Sequence, residues 1–439
     1  MTAVIFTICA QNYIGLANVL RRSVVEHSRG VDFRVYVVDE APGDLVRDTS
    51  ILSARQVLSG LIPPHEYDNM AFMYDVTEFC TSIKAACFQH AFGDGYESCI
   101  YMDPDIFLVA DVEHILTALD GRDILITPHL CVASAQQGPR RDAGILATGV
   151  YNLGFIALAA GEVARSFLRW WHERLRSQAF NDHYSALYTD QRWIDFVPSL
   201  FPEKSVQVWR HLGCNVAPWN YHERRVTQRG EGFEIVPRST SATLVDAAVP
   251  LIFLHFSGFD FRRILDGTFD QLNLADATVF PDVTPIYNRY GAAIRANAGE
   301  MVHYLALPYG YATFADGTAV LPSHRRLFRV WRERHGDAVD PFGVGPDSLY
   351  HALKTRKLLG QRDGQALAAD KATARTLPNA DGLLRHAQRL FNLLYRLLGR
   401  SRFILLIRSL NRLSRIEQHY DTFGMDDAAI TPVMQEPAR

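Results

Sequence analysis

Asp103 and Asp105 stand two residues apart at the end of an apolar run, in Tyr101-Met102-Asp103-Pro104-Asp105-Ile106. In an extended segment the side chains at i and i+2 share a face, so the two carboxylates are expected to converge, with Pro104 stiffening the link between them. Two carboxylates at a strand end suit Mg²⁺ or Mn²⁺, whose remaining positions go to water and to phosphate oxygens. Such an ion would stabilise a departing diphosphate. Asp-Pro-Asp is equally common turn chemistry, and the tripeptide alone leaves both readings open. A second late apolar run ends in Leu254-His255-Phe256-Ser257-Gly258. The His255 imidazole can complete a coordination shell begun by two carboxylates, and Gly258 would let a backbone N–H approach phosphate closely. The competing reading of His255 is a hydrogen-bonded core histidine.

These residues need a scaffold that delivers strand ends to one edge. The chain alternates short apolar runs with helical periodicity. Strands are expected at 4–9, 33–38, 99–105, 124–127, 154–158 and 251–256, and helices at 14–27, 51–59, 82–92 and 162–176. Strands separated by helices predict an α/β domain with a mostly parallel sheet, whose ligand crevice lies beyond the carboxyl ends of the strands. Residues 133–144, rich in Gln, Gly, Pro and Arg, read as a loop over the site or as a plain surface connection. Further on, 287–307 and 323–334 look helical, 337–347 reads as a linker, and 382–416 is helical again. The expected division is a catalytic domain at 1–265, a helical extension at 266–340, and a linker with basic amphipathic helices at 341–439.

Taken in order, these motifs resemble those of GT-A fold glycosyltransferases, most closely the retaining family 8 enzymes and related bacterial surface-polysaccharide transferases. The resemblance covers roughly residues 4–261. Thr7-Ile8-Cys9-Ala10-Gln11-Asn12-Tyr13 matches the first strand and loop that hold the base and ribose, which implies contacts from Thr7, Ala10, Asn12 and Tyr13. Thr81-Ser82-Ile83-Lys84 matches the place where a basic residue faces the donor. Asp103-Pro104-Asp105 matches the metal-binding DxD, and His255-Phe256-Ser257-Gly258 the late metal-binding histidine motif. Tyr151-Asn152-Leu153-Gly154-Phe155 resembles the segment whose Asn lies near the transferred sugar or acceptor. Thr189-Asp190-Gln191 resembles the Asp-Gln pair beside the reacting carbon.

The resemblance implies a Mn²⁺ or Mg²⁺ ion at Asp103, Asp105 and His255, and a nucleotide-sugar donor, UDP-linked. It also implies a glycan or lipid-linked acceptor and retention of configuration. Catalytic roles fall to Asp190 and Gln191. Asp190 is a candidate nucleophile, or else the N-cap of the helix that Gln191 opens. Where the family often has a Lys after its His-x-x-Gly motif, this chain has Arg262 and Arg263, and Arg262 is the expected diphosphate contact. The segment Cys214-Asn215-Val216-Ala217-Pro218-Trp219-Asn220-Tyr221-His222-Glu223-Arg224 groups aromatic and hydrogen-bonding side chains, as sugar recognition demands, or forms a structural turn around Trp219. Two other functions stay in view: a non-catalytic nucleotide- or carbohydrate-binding protein, and a sugar-1-phosphate nucleotidyltransferase. The latter would want a Gly-rich basic loop after the first strand, which Ala10-Gln11-Asn12-Tyr13 is not.

Composition bounds the rest. The 439 residues are 48% hydrophobic and 21% charged with a net charge of −3, which excludes a disordered chain and a general nucleic-acid binder. No apolar run reaches the ~18–20 residues that span a bilayer. The six scattered cysteines, Cys9, Cys80, Cys87, Cys99, Cys131 and Cys214, read as reduced core thiols of a cytoplasmic protein. The charge is unevenly placed. Residues 382–416 hold eight arginines and no acid among many Leu, Ile and Phe; setting those arginines aside leaves 37 basic against 48 acidic residues, a charge of −11. Apolar and cationic residues at helical spacing mark an interfacial helix, so this arm is expected to lie on a membrane at its inner face, or else to pack on the catalytic domain or on a second subunit.

Overall fold

A computed structural model describes residues 2–39, 48–133, 139–230, 232–238, 248–270, 280–359 and 380–425. The chain divides into two compact units, Met1–Pro63 with Val76–Gly310, and Pro64–Asp75 with Tyr311–Arg439.

The first unit is built on a seven-stranded sheet. Its strands in chain order are β1 (Ala3–Cys9), β2 (Val31–Val37), β3 (Ile51–Ser53), β4 (Ser98–Met102), β6 (Ile124–Pro128), β7 (Tyr151–Ala159) and Val206–Val208, while β5 (Ile106–Leu108) pairs elsewhere. Across the sheet the order is Val206–Val208, β6, β7, β4, β1, β2, β3. All neighbours are parallel except β7, which runs against both β4 and β6. The expected α/β class with a mostly parallel sheet is therefore what the chain forms. β1 is buried at every position, as a central parallel strand covered on both faces must be. On one face Ile5, Cys9, Val35, Val37, Ile100 and Met102 pack against Ile14, Ala17, Leu20 and Val24 of the helix Ile14–His27. On the other, Phe6 meets Tyr36, Phe88 and Tyr101 edge-on.

Three local expectations change. Residues 51–59 are not one helix: Ile51–Ser53 adds the edge strand β3, and only Ala54–Val57 is helical. Residues 139–148 form a helix, Pro139–Thr148, in place of the expected loop, and the rest of that segment at 134–138 lies outside the described residues. Asp103 to Asp105 is not extended. The Ile106 N–H donates to the Asp103 carbonyl at 3.0 Å, closing a turn between β4 and β5. The turn sends β5 back against Phe253–His255 in an antiparallel pair that sets Ile106 opposite His255.

In the second unit the Arg325 guanidinium donates to the carbonyls of Ala71, Phe72 and Tyr74 at 2.9, 2.7 and 2.7 Å, and Phe72 packs among Phe314, Phe328 and Phe342. Of the expected 382–416 helix, residues 382–412 lie in the helix Ala380–Arg412, broken at Gly399 (φ +69°), and 413–415 are a turn beyond its end. All six cysteines are free thiols. No helix among the described residues is long and apolar enough to cross a membrane.

Candidate active site

The turn, the strand pair and β7 converge at the carboxyl edge of the parallel strands. The Asp103 N–H donates to the Gly154 carbonyl at 2.8 Å, and the Phe256 N–H to the Asp105 carbonyl at 2.8 Å. Asp103, Asp105 and His255 thereby each offer a ligand atom, all within 4.8 Å of one another. His255 Nε2 lies 3.5 Å from Asp103 Oδ2 and 3.2 Å from Asp105 Oδ1. The three expected metal-facing residues thus lie together, but a turn and not an extended pair brings the carboxylates to one another.

The donor set, two hard carboxylates and one imidazole, fits Mg²⁺ or Mn²⁺. Gly154 makes the room. A Cβ there would stand 2.2 Å from His255 Cε1 and 2.9 Å from Asp103 Oδ2, so no other residue leaves both side chains in place. Burial works to lower the His255 pKa, but Asp105 and Asp103 outweigh it, and the net shift is upward. Burial raises the Asp103 carboxyl, against the pull of Lys84 and His255.

Lys84 does not face open solvent. Its ammonium is buried, 2.5 Å from Asp190 Oδ2, donates to the Leu153 carbonyl at 2.8 Å, and sits 3.9 Å over the Tyr101 ring. The Tyr101 hydroxyl in turn donates to Asp103 Oδ1, which ties this ion pair to the acidic turn. Asp190 stands at the N-cap of Gln191–Ile194, but its side chain makes no capping hydrogen bond, so that alternative is corrected to an ion pair with Lys84. Thr189, just before it, has φ +47°, a left-handed conformation that a β-branched residue adopts only at a cost of ~1–3 kcal/mol. Gln191 reaches β7: its Oε1 accepts from the Leu153 N–H at 3.0 Å, and its Nε2 donates to the Thr148 carbonyl at 2.9 Å.

Asn152 occupies the centre of a polar cluster. Its Oδ1 accepts from the Gly154 N–H at 3.1 Å and from Asn215 Nδ2 at 2.9 Å; its Nδ2 donates to His129 Nε2 at 3.1 Å. Burial holds the His129 pKa down at about 4, so this ring is a neutral hydrogen-bonding group at neutral pH. Trp219 packs edge-on to both His129 and His255, with ring centroids 5.3 Å apart in each case, and its indole N–H is buried without a hydrogen-bond partner.

The nucleotide-side expectations are scattered more widely. Tyr13 is half-exposed, packs on Phe261, and feels the charges of Asp105 and Arg262, which places it at the mouth of the acidic turn. Arg262 is exposed, and one guanidinium nitrogen donates to the Leu305 carbonyl at 3.4 Å. Gly258 has φ +77°, a conformation that calls for glycine. Ala10 is buried at the end of β1, and Asn12 carries a buried Oδ1 with no hydrogen-bond partner. Thr7 is wholly buried within β1, and its hydroxyl has no hydrogen-bond partner among the described residues.

His129 and Asp39 were not among the expected site residues, and Asn215 stood only within its segment. Asp39 follows β2 and bridges two backbone amides, accepting from Gln11 N at 2.7 Å and from Gly310 N at 2.9 Å. A carboxylate closing an apolar strand was the available sign.

No family model matches the chain. It is similar to the uncharacterized protein YfnF of Bacillus subtilis strain 168, 24% identical over 294 residues that cover 65% of this chain and 91% of that one. It is 29% identical over 188 residues to the uncharacterized protein YfnD of the same organism, 42% of this chain and 54% of that one. Among solved structures it is similar to the galactosyltransferase LgtC in complex with donor and acceptor sugar analogs, at 14% identity and a TM-score of 0.39 over 67% of this chain and 95% of that one. Mouse xyloside xylosyltransferase 1 in its apo form is 12% identical with a TM-score of 0.32, over 49% of this chain and 87% of that one.

Proposed function

We propose that this protein is a metal-dependent glycosyltransferase that moves a sugar from a nucleotide-sugar donor, UDP-linked, to a glycan or a lipid-linked acceptor. The observation that carries this reading is the convergence of Asp103, Asp105 and His255 at the carboxyl edge of a mostly parallel sheet. Mg²⁺ or Mn²⁺ bound there supplies charge neutralisation for a diphosphate leaving group. The chain's own residues do the rest. Asp103, Asp105 and His255 hold the ion. Tyr13 and Arg262 flank the acidic turn on the nucleotide side, and Gly258 leaves backbone open to phosphate. Asn152 and Gln191, fixed by hydrogen bonds to β7, frame the space for the transferred sugar.

Retention by same-face substitution fits better than a covalent route. Asp190 is the carboxylate a double displacement would use, and it is already neutralised by Lys84 in a buried pair. Lys84 acts here as the partner of Asp190 and not as a direct donor contact. A peripheral membrane contact through the arm at 382–416 would bring the enzyme to a lipid-linked acceptor.

The test is a panel of nucleotide sugars assayed for hydrolysis and transfer with Mn²⁺, with Mg²⁺ and with chelator. Turnover that chelator abolishes is expected, with the anomeric configuration of the donor kept in the first-formed product by NMR. Tight binding of a nucleotide sugar without turnover under any condition would instead favour a binding protein.

A further inference from the structure

The hydrogen bonds around Asn152 admit one arrangement of protons, and it runs to the metal-facing histidine. Asn152 Oδ1 accepts from the Gly154 N–H, which can only donate, so the amide orientation of Asn152 is set. His129 Nδ1 lies 3.2 Å from the Val150 carbonyl, which can only accept. The proton of neutral His129 is therefore on Nδ1, and its bare Nε2 receives the Asn152 Nδ2–H. Both ends agree.

The next link is Asn215. Its Nδ2 donates to the same Asn152 Oδ1 at 2.9 Å and to Thr127 Oγ1 at 3.3 Å, which turns its Oδ1 toward His255 Nδ1, 3.3 Å away. An amide oxygen only accepts, so His255 Nδ1 carries a proton and Nε2 faces Asp103 and Asp105. The residue is locked: Asn215 is buried, its carbonyl accepts from Asn220 Nδ2 at 3.0 Å, and its φ of +55° is one that asparagine tolerates better than most residues.

We propose that Asn215 is a positioning residue that fixes the Nδ1–H form of His255 and so presents Nε2 as the ligand nitrogen for a divalent cation. The inference rests on the metal-binding reading above for its purpose, but not for its first test. Partners of this kind, one step behind a metal ligand, typically contribute 10–100-fold in metal affinity.

Two variants suit the left-handed backbone. Asn215→Gly removes the side-chain hydrogen bonds to Asn152, Thr127 and His255 without backbone strain. Asn215→Asp keeps an acceptor for His255 Nδ1–H and loses the donor to Asn152 and Thr127. The first measurement is ¹⁵N NMR of histidine-labelled, chelator-treated protein, at a pH where the His255 ring is neutral. Wild type is expected to show a protonated Nδ1 at His255, and a bare Nδ1 would overturn the proposal. The second is Mn²⁺ binding by electron paramagnetic resonance. Asn215→Gly is expected to weaken Mn²⁺ by about 10–100-fold and Asn215→Asp by much less. Equal affinity of wild type and Asn215→Gly would also overturn it. If wild type binds no Mn²⁺ at all, the metal reading fails, and the NMR result still decides the role of Asn215.

Discussion

Lys84 Nζ stands 2.5 Å from Asp190 Oδ2, and both side chains are almost wholly removed from water. The helix Lys84–Gly93 supplies one partner, and the residue before Gln191–Ile194 the other. Removing either alone leaves a buried charge uncompensated, which costs about 3–5 kcal/mol. Lys84→Met and Asp190→Asn are each expected to lose stability on that scale in urea unfolding. Lys84→Met combined with Asp190→Leu should lose much less than the two single losses added. Single variants within about 0.5 kcal/mol of wild type would mean that the pair is solvated in solution.

Gly154 separates a fold requirement from a site requirement. It lies inside β7, where alanine is otherwise acceptable, yet a Cβ would enter the space of His255 and Asp103. Gly154→Ala is expected to fold, because the displaced side chains border the site and not the sheet core. It should lose most of the thermal stabilisation that Mn²⁺ gives wild type, and at least ~10²-fold in activity, the penalty expected for misplacement by about an ångström. A variant that keeps the full Mn²⁺-induced shift in Tm would show that the metal does not sit between these side chains.

Stability and metal binding should depend on pH in opposite directions. His255 and Asp103 both have folded pKa values above their ordinary 6.5 and 3.8, so both hold protons more tightly in the folded state. A raised pKa contributes stability that is present below the ordinary value and lost as pH rises through the raised one. Metal-free protein should therefore lose Tm from about pH 6.5 upward as His255 deprotonates. A divalent cation needs the same groups deprotonated, so the Mn²⁺-induced rise in Tm should grow over that range. A metal-induced shift that stays constant between about pH 6 and 8 would exclude His255 as a ligand.

How much of this was legible in the chain depends on where each partner lies. Five of the seven strands of the central sheet and the helix Ile14–His27 follow local periodicity and were readable; the short edge strand Val206–Val208, which pairs with β6, was not expected. The three-residue edge strand Ile51–Ser53 was not, because it is a strand only by pairing with β2. Asp103, Asp105 and His255 stood out because each follows or ends an apolar run and they fall in the order of the resembled family's motifs, but their geometry depends on a turn and a cross-strand register that no local pattern encodes. Asn215 and Asn152 are 63 residues apart, and Lys84 and Leu153 are 69 apart. Buried polar side chains of this kind look like surface or turn residues until their partners are known, which is why the Lys84–Asp190 pair was not foreseen and Asn215 stood only as one of a segment.

The arm at Ala380–Arg412 poses a question of surface. Its two halves meet where Phe403 packs against Phe391 and Tyr395, across the break at Gly399. That contact leaves Leu393, Leu397 and Leu405 at 53%, 72% and 62% exposure. Leucines left in water along a helix with eight arginines and no acid between residues 382 and 416 match an anionic lipid interface, where each arginine near the surface contributes about 1 kcal/mol. In flotation assays the protein is expected to rise with vesicles containing phosphatidylglycerol, to rise less with pure phosphatidylcholine, and to be released from the former by salt. Leu393→Ser, Leu397→Ser and Leu405→Ser together should remove the salt-resistant fraction, and replacing the exposed arginines by glutamine should remove the preference for anionic lipid. Wild type that stays with the protein fraction at low salt, while forming a dimer that the leucine substitutions dissolve, would assign this surface to a second copy of the chain instead.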